Sequence, residues 1–322
     1  MCLIYAFYLC IIKWVLTMKK KKISIIGQCY NEEETIILYY DAMCNLMKEM
    51  KKVDFEIIFI DDNSKDSSLN IIKKIAEKDN RVKYISMSRN FGKEACAMAG
   101  FENASGDYVT TMDIDLQDPP NLLKEMYKIL ETGEYDIASA KTLTRKGYSC
   151  IHKICINTFY KMFNSISSVK MYDGQRDYRL MTRQVVESIL KFKEYNLFNK
   201  GLLNDVGFKY KWIEYTNVER IKGVSKFPFK RLFKYATNGI ISYSNFPLIS
   251  LLILASLFLF SSIIFLIIYL FSQSISLLFT AMFLFIISII FLNNGIIGLY
   301  ISQIHLEVKN RPIYIIKEDN LI

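Results

Sequence analysis

The 322-residue chain has only two histidines, His152 and His305, and none of its seven cysteines (Cys2, Cys10, Cys29, Cys44, Cys96, Cys150, Cys155) forms a C-x-x-C pair. A zinc site is therefore not expected, and the cysteines read as reduced packing residues of a cytosolic domain. No G-x-G-x-x-G follows the first predicted strand and no P-loop occurs, so nucleotide sites of those two types are not supported. No basic helix with interleaved aromatics matches the usual nucleic-acid modules, so nucleic acid is not the expected partner of a chain with net charge +9. The longest absence is of charge itself. From Tyr235 to Leu306 there is no Asp, Glu, Lys or Arg.

That gap explains why 52% of the residues are hydrophobic and the mean hydropathy is +0.17, too apolar for an ordinary soluble protein of this length. Two runs within it, about Pro247–Phe271 and about Ile275–Ile301, each exceed the roughly 20 apolar residues that a bilayer crossing needs. Basic residues flank the pair: Lys222, Lys226, Lys230, Arg231 and Lys234 before, Lys309, Arg311 and Lys317 after. The link Ser272–Ser276 carries no charge. The positive-inside rule then places both flanks and the large preceding domain in the cytoplasm of a multi-pass inner-membrane protein, and anionic lipid and phosphate account for the basic excess. Residues 226–235 alternate Phe227, Phe229 and Phe233 with cations and read as an amphipathic segment at the membrane surface. Asn293 and Asn294 in the second run are costly facing lipid and are expected to face another helix, which admits a homo-oligomer.

At the other end, residues 1–17 are apolar except for Lys13, and four lysines follow Met18. A secretory signal carries its charge before the apolar core, so that reading is rejected. Three remain: Met18 as the true start, which is preferred, an interfacial helix, or a short third span.

Between these ends, β-type runs alternate with helical periodicity. Strands are expected at Ile23–Ile26, Phe55–Ile60, Val82–Ser86, Tyr108–Met112 and Asp136–Ala140. Helices are expected up to about Met50, from Ser67 with Asp66 as N-cap, over Lys93–Ala104 and over Asn121–Glu131. This alternation implies an α/β fold with a doubly wound, mostly parallel sheet. Residues 146–168 are aromatic and basic at helical spacing, and either cover the sheet or lie on the membrane surface.

The fourth strand ends on Asp113 and Asp115, and Pro119 and Pro120 then open a helix. Two carboxylates at that spacing can hold a hard divalent cation and leave positions open for a diphosphate. They also suit an ordinary polar turn, and the motif alone does not decide. The neighbouring strands do. Asn31-Glu32 and Asp61-Asp62 also stand at carboxyl ends of strands, and three such ends on one edge mark a ligand site.

The residues that carry these features resemble glycosyltransferase family 2, and more narrowly its polyprenyl-phosphate (bactoprenol- or dolichol-phosphate-type) glycosyltransferases. They are Tyr30-Asn-Glu-Glu33, Ile60-Asp-Asp-Asn-Ser64, Ser88-Arg-Asn-Phe-Gly-Lys-Glu94, Ala104-Ser-Gly-Asp107 and Asp113-Ile-Asp-Leu-Gln-Asp-Pro-Pro120. Asp177-Tyr-Arg-Leu-Met181, Phe198-Asn-Lys-Gly201, Gly223-Val-Ser-Lys226 and Glu307–Tyr314 continue the match to the end. The resemblance implies a GT-A fold, a nucleotide-sugar donor, Mg2+ or Mn2+, inversion at the anomeric carbon and a tetramer. It implies that Asp113, Asp115 and Gln117 hold the metal, and that Tyr30, Asn31, Glu32, Asp61, Asn63, Asn90 and Lys93 bind the donor. Asp177, Arg179, Arg220 and Lys226 would surround the acceptor phosphate, with Asp113, Asp115, Arg179 and Lys200 as the catalytic set. The chain departs from the family pattern at Gln28-Cys29, at Leu197, at Leu299 and Gln303, and at Gly174-Gln-Arg176, where Arg176 adds a positive charge near the acceptor site.

The expected organisation is an extension (1–18), a transferase domain (19–225), a juxtamembrane segment (226–245), two spans (246–304) and a cytoplasmic tail (305–322). The expected reaction moves one sugar from a nucleotide donor to polyprenyl phosphate for cell-envelope glycan modification. By resemblance the donor is UDP-glucose, with UDP-N-acetylglucosamine and GDP-mannose as alternatives. A non-catalytic membrane scaffold is the reading of another class, and the intact Asp61, Asp113 and Asp115 argue against it.

Overall fold

The computed structural model describes residues 20–142, 150–167, 169–172, 174–192, 199–216 and 276–321, with isolated positions between 237 and 257. Four βα units and a fifth strand open the chain in the expected order. They run β1 (Lys21–Cys29), α1 (Ile36–Glu49), β2 (Val53–Asp61), α2 (Ser68–Ala76), β3 (Val82–Met87), α3 (Lys93–Asn103), β4 (Tyr108–Asp113), α4 (Leu122–Glu131) and β5 (Ile137–Thr142). There follow α5 (Cys150–Ile166), β6 (Gln175–Thr182), α6 (Arg183–Ile189), α7 (Asn199–Asp205), β7 (Tyr210–Tyr215), α8 (Ser276–Val308) and β8 (Ile316–Asp319).

Among the described residues the eight strands form one sheet in the order β7-β5-β6-β4-β1-β2-β3-β8. The centre is parallel, β4-β1-β2-β3, as the βα alternation requires. The sheet as a whole is mixed, because β6 inserts antiparallel between β4 and β5, and β8 adds antiparallel to β3. β6 was not expected from the sequence. Tyr178 and Leu180 pack on one side of it and Met181 on the other, so no single-face alternation marks it as a strand.

Helices cover both faces. Tyr39, Met43 and Leu46 of α1 and Leu123, Met126 and Leu130 of α4 recur at helical spacing and pack on Ile23, Ile25, Ile57 and Phe59. Alternate strand residues, Ile26, Ile58, Ile60, Ile85 and Val109, meet α3 and α6 on the opposite face. The aromatic stretch at α5 joins neither layer. Phe163 packs with Val169, Met171 and Tyr243 in a separate small cluster.

The first apolar run of the C-terminal part lies outside the described residues, as do residues 1–19 and the amphipathic stretch 226–235. The second run falls on α8, 33 residues long and uncharged as far as Leu306. Counting described residues alone, no helix is long and apolar enough to cross a membrane; several side chains of α8 are outside that count. On α8 Phe279, Phe283, Phe285, Ile290, Leu299 and Ile304 are all exposed.

Two contacts fix the end of the sheet away from the acidic strand ends. A Cβ on Gly106 would lie 2.6 Å from Ser24 Oγ and 2.8 Å from the Lys22 carbonyl oxygen, so only glycine fits where this turn crosses β1. Beside it the buried Glu56 carboxylate accepts hydrogen bonds from Ser24 Oγ (2.5 Å) and Ser105 N–H (2.7 Å) and pairs with Lys22 (2.8 Å). The Ala104–Asp107 motif therefore serves the scaffold.

Candidate active site

The parallel register brings three strand ends level: Gln28 pairs with Asp113, Cys29 with Asp61, and Asp61 with Ser86. Chain order reverses between β1 and β4, which opens a crevice at the carboxyl ends of these strands, where open α/β sheets take ligands.

Two turns line one side of it. Asn31 (φ 56°) and Asn63 (φ 59°) take left-handed backbone conformations, which asparagine tolerates better than most residues. The turns are tied together. Asn31 N–H donates to Ser64 Oγ (3.0 Å), Lys65 N–H to Asn31 Oδ1 (2.7 Å) and Glu32 N–H to Ser68 Oγ (2.8 Å). Asp66 accepts from Ser68 N–H (3.0 Å) at the start of α2 and from Glu33 N–H (3.2 Å). Asp61, almost wholly buried, accepts from Ser64 N–H (3.3 Å) and Ser86 Oγ (3.3 Å). Tyr30 and Asn90 are exposed at the rim.

Asp62 was placed at the strand end by sequence, without a role. Its carboxylate accepts from Phe91 N–H (2.7 Å) and Gly92 N–H (3.0 Å). Burial raises its pKa, against the pull of those two donors. The contact fixes Gly92 at φ 96°, open to glycine, and so places Lys93 at the first turn of α3.

Lys93 Nζ lies 2.8 Å from Asp113 Oδ1, 3.1 Å from Asp113 Oδ2 and 3.0 Å from Asp177 Oδ2. Burial works against the ammonium, but Asp113 and Asp177 outweigh it and raise its pKa above the usual lysine value. Asp177 comes from β6, so the antiparallel insertion delivers it to Asp113. Thr111 Oγ1 donates to the Asp177 carbonyl (3.0 Å) and secures that register.

Beyond Asp113 the chain turns at Leu116 (φ 54°), and Gln117 N–H donates to Asp115 Oδ1 (3.1 Å). The turn is anchored by Asp118, buried, which accepts from the Tyr215 hydroxyl and faces Arg176 Nε at 3.7 Å. Burial raises the Asp118 pKa, with Arg176 acting the other way. The positive charge expected of Arg176 on the acceptor side is thus matched by Asp118. Nothing local in the sequence pointed to Tyr215, which reaches the loop only because β7 pairs with β5.

Arg179 is 1% exposed, in register with Thr111 and Ser139, and its Nη2 donates to the Arg176 carbonyl (3.0 Å). Its place is inside the sheet layer on the side of Asp177, because alternate residues of β6 share a face. Lys200 lies on α7 with its side chain outside the description, and Arg220 and Lys226 lie outside the described residues.

Oxygen donors suit Mg2+ or Mn2+, and Asp113 and Asp115 provide them where a diphosphate could complete the shell. Among the described residues no group of three or more His, Cys, Asp or Glu is placed to hold a metal. The donor set fits a cation that shares its ligands with a bound diphosphate and does not fit a closed protein cage.

Fold and crevice together define an α/β protein whose ligand site is lined with carboxylates at a topological switch point. Residues 24–193 match the Glycosyl transferase family 2 profile. The chain is 42% identical over 315 residues to CsbB of Bacillus subtilis (strain 168), covering 94% of each. It is 38% identical over 308 residues to the SfII prophage-derived bactoprenol glucosyl transferase of Shigella flexneri, covering 93% of this chain and 98% of that one. It is 37% identical over 305 residues to the prophage bactoprenol glucosyl transferase homolog of Escherichia coli (strain K12), covering 92% and 98%. The chain belongs to glycosyl transferase family 2.

Proposed function

We propose that this enzyme transfers one glucosyl group, with inversion, from UDP-glucose to a polyprenyl phosphate at the cytoplasmic face of the inner membrane. The observation that carries the reading is the Asp113–Lys93–Asp177 cluster beside Asp115, at the mouth of the β1/β4 crevice. The names of the Shigella and Escherichia relatives support glucose as the sugar and bactoprenol as the carrier.

In this reaction an oxygen of the lipid phosphate forms a bond to the anomeric carbon. The bond from that carbon to the donor diphosphate breaks, and UDP leaves with the electron pair. A phosphate monoester has its second ionisation near pH 6, so the nucleophile arrives charged and needs no strong general base. A divalent cation held by Asp113 and Asp115 would supply positive charge to the leaving diphosphate. Asp61 and the tied turns at Asn31 and Asn63 form the wall for the nucleoside. Lys93, protonated at neutral pH, pairs with Asp113 and Asp177 in the empty site. Arg179, Lys200, Arg220 and Lys226 are proposed as further cations for the acceptor and the leaving group.

A polyprenyl chain stays in the bilayer, so the site must be held at its surface. The length of α8, its uncharged composition and its exposed Phe and Ile side chains support it as one of two spans, with residues 19–225 cytoplasmic. Residues 226–245 would lie at the interface and 305–322 return to the cytoplasm. A homo-oligomer is part of the same proposal.

The test is full-length protein in detergent with undecaprenyl phosphate and radiolabelled UDP-glucose, UDP-N-acetylglucosamine or GDP-mannose. Label should enter an acid-labile lipid from UDP-glucose alone, and Asp113→Ala should abolish it. Transfer from another donor would correct the sugar. Unchanged turnover in Asp113→Ala would remove the metal-site reading, and no turnover with any donor would favour the scaffold.

A further inference from the structure

Lys93 occupies the position a metal would want. Its ammonium contacts both oxygens of Asp113, at 2.8 and 3.1 Å, and one oxygen of Asp177 at 3.0 Å. Those are the oxygens a cation at Asp113 would need. The lysine is not on a loose loop: it starts α3, directly after the Phe91-Gly92 turn that the buried Asp62 carboxylate grips. The placement is built by one carboxylate to serve two others. Its side chain is 34% exposed, so it is not sealed in the core.

We infer that Lys93 is a resident counter-ion which holds Asp113 and Asp177 together while the site is empty and gives up Asp113 to the divalent cation when the nucleotide sugar arrives. The inference rests on the proposed function above. Two carboxylates, Asp113 and Asp177, stand against this one ammonium, which leaves net negative charge for a divalent ion to cancel. On the exchange, the ammonium keeps Asp177 and no bond is made or broken other than ionic contacts. The consequence is ordered loading. With the ammonium on Asp113 and, among the described residues, no group of three or more His, Cys, Asp or Glu placed for a metal, a cation alone competes poorly, whereas a cation carried on a diphosphate brings its own ligands. Lys93 is on this view a positioning residue for the two aspartates that also sets the order of binding.

The experiment is Mn2+ binding to purified full-length protein, read by the loss of the free-ion EPR signal, with and without UDP. It compares wild type, Lys93→Met, Asp113→Asn and Lys93→Met/Asp113→Asn, with thermal unfolding as the folding control. Wild type should bind Mn2+ weakly without UDP and much more tightly with it. Lys93→Met should tighten UDP-free binding by about tenfold or more, the size by which one close like charge ordinarily shifts a charged-site equilibrium, and so shrink the dependence on UDP. The double variant should lose the gain. Unchanged or weaker UDP-free binding in a folded Lys93→Met protein overturns the counter-ion role. If Asp113→Asn alone leaves Mn2+ binding intact in the presence of UDP, it is the metal site of the proposed function that fails, separately from the role of Lys93.

Discussion

Replacing Glu56 by glutamine tests the scaffold beneath the site without touching the crevice. Glu56 is 2% exposed at the amino-terminal end of the strands, away from Asp61. Burial alone would raise its pKa. Hydrogen bonds from Lys22, Ser24 and the Ser105 N–H and hydroxyl more than reverse this and lower it from 4.5 to about 2. The sign follows. A carboxylate depressed in the folded state contributes stability that is full above its unfolded pKa and is lost as pH falls through the folded value. The loss therefore falls between about pH 5 and pH 2. The depression corresponds to roughly 3 kcal/mol at neutral pH, an order of magnitude set by a network of donors and not by one ion pair. Glutamine keeps the shape but turns a donor amide toward Ser24, Ser105 and Lys22, all of which donate. Glu56→Gln should cost about 2–3 kcal/mol, or roughly 5–10 °C in Tm for a domain of this size. The assay is thermal unfolding of the full chain in detergent, by intrinsic fluorescence, at pH 7, 5, 4 and 3. Wild type should lose Tm steeply below pH 5, and the variant should start lower and show a flatter slope. Parallel slopes in the two proteins would refute the assignment of that acid sensitivity to Glu56.

Other changes probe different links. Gly106→Ala places a Cβ against Ser24 and Lys22 backbone atoms that have no room to move, and should destabilise by about 1–3 kcal/mol in the same unfolding assay. Asp118→Ala removes the partner of both Tyr215 and Arg176 and should cost about 2–4 kcal/mol. Because Asp118 anchors the Leu116 turn that follows Asp115, the same variant should also raise the KM for donor; an unchanged KM would separate this anchor from the site.

Most of the transferase core was legible in the sequence, for physical reasons. β1 through β4 and their helices are local objects: each buries one face of a repeating pattern, and turn residues mark each end. The three acidic strand ends could be grouped because parallel βα units place all carboxyl ends on one edge. Less of the crevice was legible. Asp177 was assigned to the acceptor by resemblance, and nothing local predicted its contact with Lys93. That contact exists because β6 runs antiparallel between β4 and β5, a pairing between segments far apart in the chain. Arg179 shows the same limit. Its charge gave no sign that β6 would bury it between β4 and β5. β8 pairs with β3 through Ser88 N–H to the Ile315 carbonyl (2.9 Å), and Lys73 pairs with Glu318 (2.7 Å). Four residues of strand carry too little pattern to be seen before that pairing forms.

The sequence by itself determined the elements and the edge on which chemistry gathers, because hydrophobic period and turn chemistry act over a few residues. It also determined the family, and a long uncharged run whose composition suits a bilayer. Only the tertiary structure decided which charges meet: Lys93 with Asp113 and Asp177, Arg176 and Tyr215 with Asp118, Asp62 with the turn that presents Lys93. Charge acts through distance in space, and those distances are set by strand order and register, which no local stretch of residues encodes.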